Sequence, residues 1–182
     1  MQDEIRRHKP TIVVNLFGAP CAGKSTAAAY IFALLKMAGI NAELVTEFSK
    51  DVVWEEAKEP FNTQAYIFGQ QLFRQNRCNG KVDVIVTDSP ILLSIIYNHE
   101  PNYDFTRYVL HCFDLFNNMN YYINRTHGFV ESGRVHSEEQ SDIIARQIKY
   151  LLNRYNIPFD EKDSSEETYR SIVGEVITAL EE

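Results

Sequence analysis

The stretch of sequence that decides the fold is Gly18-Ala19-Pro20-Cys21-Ala22-Gly23-Lys24-Ser25. It matches the pattern GxxxxGK[ST] at every fixed position. The β-branched run TIVVNLF at 11–17 comes directly before it and predicts a buried strand. The Ala- and Leu-rich segment at 24–38 follows it and predicts a helix. Strand, loop and helix in this order are the context in which the pattern forms a phosphate-binding loop.

The residue types in this loop suit a bound nucleotide. Glycines at positions 18 and 23 let the backbone curl so that its N–H groups point at phosphate oxygens, and the helix N-terminus favours an anion. We expect Lys24 to reach the β- and γ-phosphates and the Ser25 hydroxyl to ligate Mg²⁺. The expected nucleotide-binding residues are Gly18, Ala19, Pro20, Cys21, Ala22, Gly23, Lys24, Ser25 and Thr26. The competing interpretation is a glycine-containing turn that binds nothing.

Strands and helices alternate along the rest of the chain. Further strands are predicted at 42–46, 82–87, 121–124 and 157–159, and helices at 62–79, 104–118, 137–155 and from 165 onward. This alternation predicts an α/β fold in one domain, residues 1–182, with a five-stranded parallel sheet and helices on both faces. In such sheets ligands bind at the carboxyl ends of the strands.

Two carboxylates are expected at that edge because each follows a predicted strand. Asp88 ends VDVIVTD, and we expect it to hold Mg²⁺ together with Ser25. Its alternative role is the N-cap of a helix that starts near Pro90. Glu47 ends the second strand, where its carboxylate could accept the proton of an attacking hydroxyl. A solvated surface acid is the alternative for Glu47, and Asp51 is a competing base one turn later.

The polar segment at 125–136 predicts a lid loop, because it has arginines near both ends and two glycines within it. Arg125 and Arg134 would neutralise the charge that spreads over a transferring phosphoryl group. An ordinary exposed loop is the alternative. On the predicted helix at 62–79, Gln70 and Arg74 are candidate substrate contacts, since an amide can pair with a base edge. A plain polar helix face would explain them equally.

Composition excludes several classes of protein. The chain has 182 residues, 45% of them hydrophobic, and a net charge of −7, which suits a globular protein and argues against a general nucleic-acid binder. Three cysteines without CxxC spacing favour a reducing cytoplasm over a disulfide framework. No apolar run approaches the ~20 residues that span a bilayer, so no membrane partner is expected. The guanine-reading motif NKxD is missing, which argues against a GTPase. A motor or AAA-type machine would usually need a longer chain.

The motifs taken together resemble known kinase families. The similar segments are GAPCAGKST at 18–26, TEFSKD at 46–51, GQQ at 69–71, VIVTDSP at 84–90 and YYINRTHGFVESGRVHSEEQ at 121–140. They are similar to the nicotinamide riboside kinase-like group of P-loop proteins and, more broadly, to thymidylate and deoxynucleoside kinases. NLFGAP and TDSPILLS also resemble phage-encoded kinases, among them those that phosphorylate 5-hydroxymethyluracil in phage DNA before hypermodification.

The resemblance implies a P-loop kinase fold and assigns roles to residues already singled out. Lys24 and Ser25 would hold phosphate and Mg²⁺, and Asp88 would lie on the metal-binding or substrate-binding side of the site. Glu47 would occupy the position of the acidic base in nucleoside kinases. Arg125 and Arg134 would belong to the lid. The chain departs from thymidylate kinases at Ser89, where those enzymes have an arginine, and this favours an acceptor hydroxyl without its own adjacent phosphate.

The resulting hypothesis is an ATP-dependent kinase that uses Mg²⁺ and a hydroxyl acceptor, in the host cytoplasm if phage-encoded. The first acceptor considered is 5-hydroxymethyluracil in phage DNA, which would require a basic rim from Arg6, Arg7, Lys9, Arg74 and Arg77. A kinase of a free nucleoside or of nicotinamide riboside is the alternative. A non-enzymatic nucleotide-binding switch is the second alternative, and the oligomeric state stays open.

Overall fold

A computed structural model describes residues 10–99, 103–126, 128 and 137–182 of the chain. Five parallel strands form one sheet in the order β2-β3-β1-β4-β5. The strands are β1 (Ile12–Phe17), β2 (Ala42–Val45), β3 (Val84–Thr87), β4 (Asn117–Asn124) and β5 (Asp160–Asp163). The predicted five-stranded parallel sheet is therefore confirmed.

Helices cover both faces of the sheet, as predicted. They are α1 (Lys24–Met37), α2 (Phe48–Trp54), α3 (Gln64–Asn76), α4 (Leu93–Ile96), α5 (Tyr103–Asp114), α6 (Glu138–Arg154) and α7 (Glu166–Glu181), with a 3₁₀ turn at Glu59–Asn62. Helices α1 and α7 pack on one face, and helices α3 to α6 contribute to the core on the other. Strand β1 is buried on both sides, since Val13 and Phe17 belong to one core and Val14 and Leu16 to the other.

The boundary between α5 and β4 differs from the prediction. The helix was expected to run to 118 and the strand to begin at 121, but α5 ends at Asp114 and β4 begins at Asn117. The Asn118 side chain ends the helix, because its Nδ2 donates to the carbonyls of Phe113 (2.7 Å) and Phe116 (3.1 Å). Its Oδ1 accepts from Nδ2 of Asn15 on β1 at 2.8 Å, which ties the early start of β4 to the central strand.

The last strand also lies further along the chain than predicted. The apolar residues 157–159 were expected to form it, but they belong to the exit from α6, where Asn156 has a φ of 52° and Ile157 N donates to Leu152 O. Strand β5 is the polar segment Asp160–Asp163, which pairs with residues 121–124 of β4. An edge strand with one neighbour does not need an apolar sequence, so periodicity gave no signal here.

Candidate active site

The phosphate loop has the backbone that its glycines predict. Gly18 has a φ of 147° and Gly23 a φ of 85°, both in the region that glycine adopts without strain. A Cβ on Gly18 would lie 2.6 Å from the carbonyl oxygen of Ile123, and one on Gly23 would lie 2.6 Å from Oγ of Ser164. Only glycine therefore fits at either position without a neighbour moving.

Lys24 folds back over its own loop. Its Nζ donates to the carbonyl oxygens of Gly18 at 2.9 Å and Ala19 at 3.0 Å. Ser25 and Thr26, at the start of α1, are exposed, so the helix N-terminus is accessible to an anion. The loop thus presents a cation and a helix dipole at the place where the sequence predicted phosphate binding.

A second lysine reaches this loop from another element. Nζ of Lys50 on α2 donates to Oγ of Ser25 at 3.0 Å. Sequence analysis did not single out Lys50, because one lysine in a polar segment is normally a solvated surface residue. The contact joins the segment that follows β2 to the hydroxyl expected to ligate Mg²⁺.

Asp88 has the properties of a magnesium ligand. It follows β3 and is 4% exposed, and its Oδ1 is buried with no hydrogen-bond partner among the described residues. An unpaired buried carboxylate oxygen is costly unless a cation or donor occupies the position beside it. The described residues contain no group of three or more His, Cys, Asp or Glu side chains that could hold a metal alone. Mg²⁺ does not require one, since it is commonly bound by one or two protein oxygens, water and substrate phosphates.

Glu47 occupies the turn between β2 and α2. It is the N-cap residue of α2, but its own side chain makes no cap hydrogen bond. The buried side chain of Gln71 serves the turn instead, since its Oε1 accepts from Phe48 N at 2.9 Å and its Nε2 donates to Thr46 O at 3.3 Å. One amide from α3 therefore fixes the residues on both sides of Glu47. The Glu47 carboxylate accepts a short hydrogen bond from the Ser49 hydroxyl.

A single cleft brings the main predicted residues together. Its lining includes Lys24, Glu47 and Asp88, together with Gln71 and Tyr97. Burial, and secondarily the charge of Glu47, raises the pKa of Tyr97 to about 12, so the phenol stays protonated at neutral pH. The space left for water is about 50 Å³.

The predicted substrate contacts on α3 are placed differently. Neither Gln70 nor Arg74 is among the residues that line this cleft, whereas Gln71 is. Arg74 forms a short ion pair with Asp51, and its guanidinium lies 5.0 Å from the ring centre of Phe48. Asp51, the competing base, is thus paired with an arginine and does not line the cleft.

Arg125 lies at the end of β4 and is held by helix α6. Its guanidinium donates to Asp142 at 3.0 Å and Glu138 at 3.2 Å. It also approaches Oγ of Ser141 at 3.5 Å, and that hydroxyl donates to the carbonyl of Pro20 in the phosphate loop at 2.8 Å. Arg125 is therefore connected to the loop through α6. Arg134 and most of the expected lid lie outside the described residues, as do Arg6, Arg7 and Lys9.

The phosphate loop, Asp88 and all of the parallel sheet except its first residue lie within a region that matches a family model. The family described as AAA domain matches residues 13–167. The chain belongs to this family. No curated protein sequence matches the chain.

Solved structures of deoxyadenosine kinase from M. mycoides have a similar fold. One, with dATP bound, is 19% identical, covers 93% of this chain and 100% of its own, and has a TM-score of 0.53. Another, with dCMP and a flexible dCDP bound, is 15% identical, covers 93% of this chain and 98% of its own, and has a TM-score of 0.52. The chain therefore has the P-loop kinase fold that the sequence predicted. Among the described residues, no helix is both long and apolar enough to cross a membrane.

Proposed function

We propose that this protein is an ATP-dependent kinase that transfers the γ-phosphoryl group to a hydroxyl of a nucleoside-like acceptor. The observation that carries the proposal is the single cleft lined by Lys24, Glu47 and Asp88. A phosphate-binding cation, a carboxylate base and a buried metal ligand are the parts that phosphoryl transfer requires. The similarity in fold to deoxyadenosine kinases supports a nucleoside as the acceptor class.

In the proposed reaction Glu47 orients the acceptor hydroxyl and accepts its proton. Lys24 leaves the carbonyls of Gly18 and Ala19 and binds the phosphates, and the backbone N–H groups of the loop hold them in line with the hydroxyl. Ser25 and Asp88 would hold Mg²⁺, which supplies charge neutralisation of the phosphates when bound. Gln71 keeps Glu47 in place through the backbone on either side of it. Little covalent work falls to the protein, so positioning and electrostatics supply most of the rate.

A free acceptor is favoured over a base within DNA. A base in a duplex would have to be flipped out to reach Glu47, which a free nucleoside does not require. The net charge of −7 opposes binding to a phosphate backbone. Arg74, one member of the expected basic rim, is ion-paired with Asp51. 5-Hydroxymethyluracil in DNA, the first acceptor that the sequence suggested, becomes the second candidate, and the resemblance of TDSPILLS to phage kinases supports it.

The test is to offer γ-labelled ATP and Mg²⁺ with four deoxynucleosides, nicotinamide riboside and 5-hydroxymethyluracil DNA in parallel reactions. We expect label in a free nucleoside, formed about 10²-fold or more slowly by Glu47→Gln, with Glu43→Gln as the matched control that retains transfer. Label in DNA alone would move the acceptor to the second candidate. If the protein binds ATP but transfers no label to any of the acceptors offered, the result would support the nucleotide-binding switch instead.

A further inference from the structure

Lys50 is held against the phosphate loop by a contact that a nucleotide would replace. Its Nζ lies 3.0 Å from Oγ of Ser25, the first hydroxyl of α1. The hydroxyl oxygen that accepts this hydrogen bond is also the atom expected to ligate Mg²⁺. Both interactions draw on the same oxygen, and a bound divalent cation would repel the ammonium group. Occupation of the metal position therefore frees Lys50 to find another acceptor close by.

Lys50 has no carboxylate partner among the described residues. The neighbouring Asp51 is ion-paired with Arg74, and Glu47 accepts a hydrogen bond from Ser49. The ammonium group donates only to a neutral hydroxyl, although hydrogen bonds from a cation to an anion are roughly twice as strong as neutral ones. A phosphate oxygen arriving beside Ser25 would be a better partner than Ser25 itself.

The backbone that carries Lys50 is fixed, whereas its side chain is exposed. Val52 is 2% exposed and anchors α2 in the interior, and Gln71 binds Phe48 N at the start of the helix. The four-carbon side chain of lysine can then move its charge over a few ångströms without movement of the helix. Lys50 does not itself line the cleft that holds Glu47, so its side chain must swing from Ser25 toward the cleft to meet a transferring phosphoryl group.

Two other described cations lie near the loop. Lys24 is already assigned to the β- and γ-phosphates, and Arg125 is held by Glu138 and Asp142. Phosphoryl transfer concentrates negative charge on the oxygens of the transferring group, and preorganised cations stabilise that charge. We propose that Lys50 is a further catalytic residue that moves from Ser25 to the transferring phosphoryl group and stabilises the transition state.

The proposal rests on the proposed kinase function and adds no proton transfer. A bond forms between the acceptor oxygen and the γ-phosphorus, and the bond from that phosphorus to the bridging oxygen breaks with its electron pair left on ADP. The hydroxyl proton goes to Glu47. Lys50 stays protonated throughout and contributes only charge and hydrogen bonds.

The experiment measures binding of Mg·ADP with and without aluminium fluoride, which imitates the transferring phosphoryl group and needs no identified acceptor. The proteins are the wild type, Lys50→Ala, Lys50→Arg and the control Lys58→Ala, an exposed lysine away from the loop. We expect ADP affinity to stay within about 2-fold in every variant. The increase in Mg·ADP affinity caused by aluminium fluoride should be smaller by about 10-fold or more in Lys50→Ala. It should be partly kept in Lys50→Arg and unchanged in Lys58→Ala.

Three results would overturn the proposal. One is equal tightening in Lys50→Ala and the wild type, which leaves the kinase proposal standing and removes Lys50 from it. Another is a loss of ADP affinity in Lys50→Ala with unchanged tightening, which makes Lys50 a ground-state contact. A wild type that binds no Mg·ADP overturns the kinase function as well. Equal thermal midpoints of the four proteins would show that the substitutions leave the fold intact.

Discussion

Gly23→Ala tests how closely the phosphate loop is packed against the end of β5. Gly23 has a φ of 85°, where a residue with a side chain costs roughly 1–2 kcal/mol. The new Cβ would also lie 2.6 Å from Oγ of Ser164, whose hydroxyl makes a 2.6 Å hydrogen bond with the Tyr169 hydroxyl. Rotating Ser164 away relieves the overlap but breaks that bond, at a cost of about 0.5–1.5 kcal/mol.

Gly39→Ala is the matched control. Gly39 has nearly the same φ, 81°, and a Cβ there would meet nothing within 4 Å. Both substitutions place a side chain at a similar positive φ and make the same change in the unfolded chain, so Gly39→Ala controls for these two effects. Gly23→Ala should therefore be less stable than Gly39→Ala by about 1 kcal/mol. In a chain of this length that is a difference of about 2–4 °C in the thermal midpoint.

The assay is urea unfolding of the wild type, both single variants, Ser164→Ala and the double variant Gly23→Ala/Ser164→Ala. Without the Ser164 hydroxyl, the nearest atoms to the new Cβ are 3.7 Å away, at ordinary contact distance. Adding Gly23→Ala to Ser164→Ala should then cost no more than Gly39→Ala costs in the wild type. Equal destabilisation by Gly23→Ala and Gly39→Ala, or no relief in the double variant, would refute the packing argument.

Four further predictions concern residues of the cleft and the loop. Glu47→Gln should lower turnover by about 10²-fold or more with ATP affinity within a few-fold, and a larger loss in Asp51→Asn would move the base to Asp51. Gln71→Ala should lower turnover far more than ATP affinity. Gln71→Glu keeps an acceptor for Phe48 N, so it should recover part of the lost turnover. Equal effects on turnover and affinity would contradict a positioning role for Gln71. The free energy of unfolding should fall as pH rises from about 10 to 12, because the unfolded state loses the Tyr97 proton before the folded state does, and Tyr97→Phe should reduce that slope. Cys21 is 3% exposed and has a φ of 68°, a conformation that glycine adopts readily and a β-branched residue does not. Cys21→Gly should therefore bind nucleotide normally, whereas Cys21→Val should bind it more weakly. Equal binding by both variants would show that the loop conformation does not depend on this residue.

The phosphate loop could be predicted residue by residue because its chemistry is local. Gly18, Gly23, Lys24 and Ser25 lie in one short segment, and their spacing alone specifies the turn and the helix start. The meeting of this loop with Glu47 and Asp88 followed from topology, since the carboxyl ends of parallel strands lie at one edge of a sheet. No side-chain detail was needed for that step.

The features that sequence did not reveal depend on contacts between distant segments. Helix α2 has seven residues, and its first N–H is bound by Gln71, 23 positions away. Strand β5 has a polar sequence, and only its pairing with β4 identifies it. Tyr97 belonged to no motif, and Lys50 lay in the segment TEFSKD without an assigned role. Their positions beside Glu47 and Ser25 appear only in three dimensions. On α3 the candidate was Gln70, whereas Gln71, one turn after Ile67, is the residue that lines the cleft.

Phosphoryl transfer itself tests the central claim most directly. The measurement compares ADP formed with phosphorylated nucleoside formed from ATP, in the wild type and in Lys24→Ala. The account predicts one ADP for each phosphorylated acceptor in the wild type, and neither product in a Lys24→Ala protein whose unfolding curve is unchanged. Wild-type turnover in folded Lys24→Ala, or ADP released with inorganic phosphate and no phosphorylated acceptor, would contradict it.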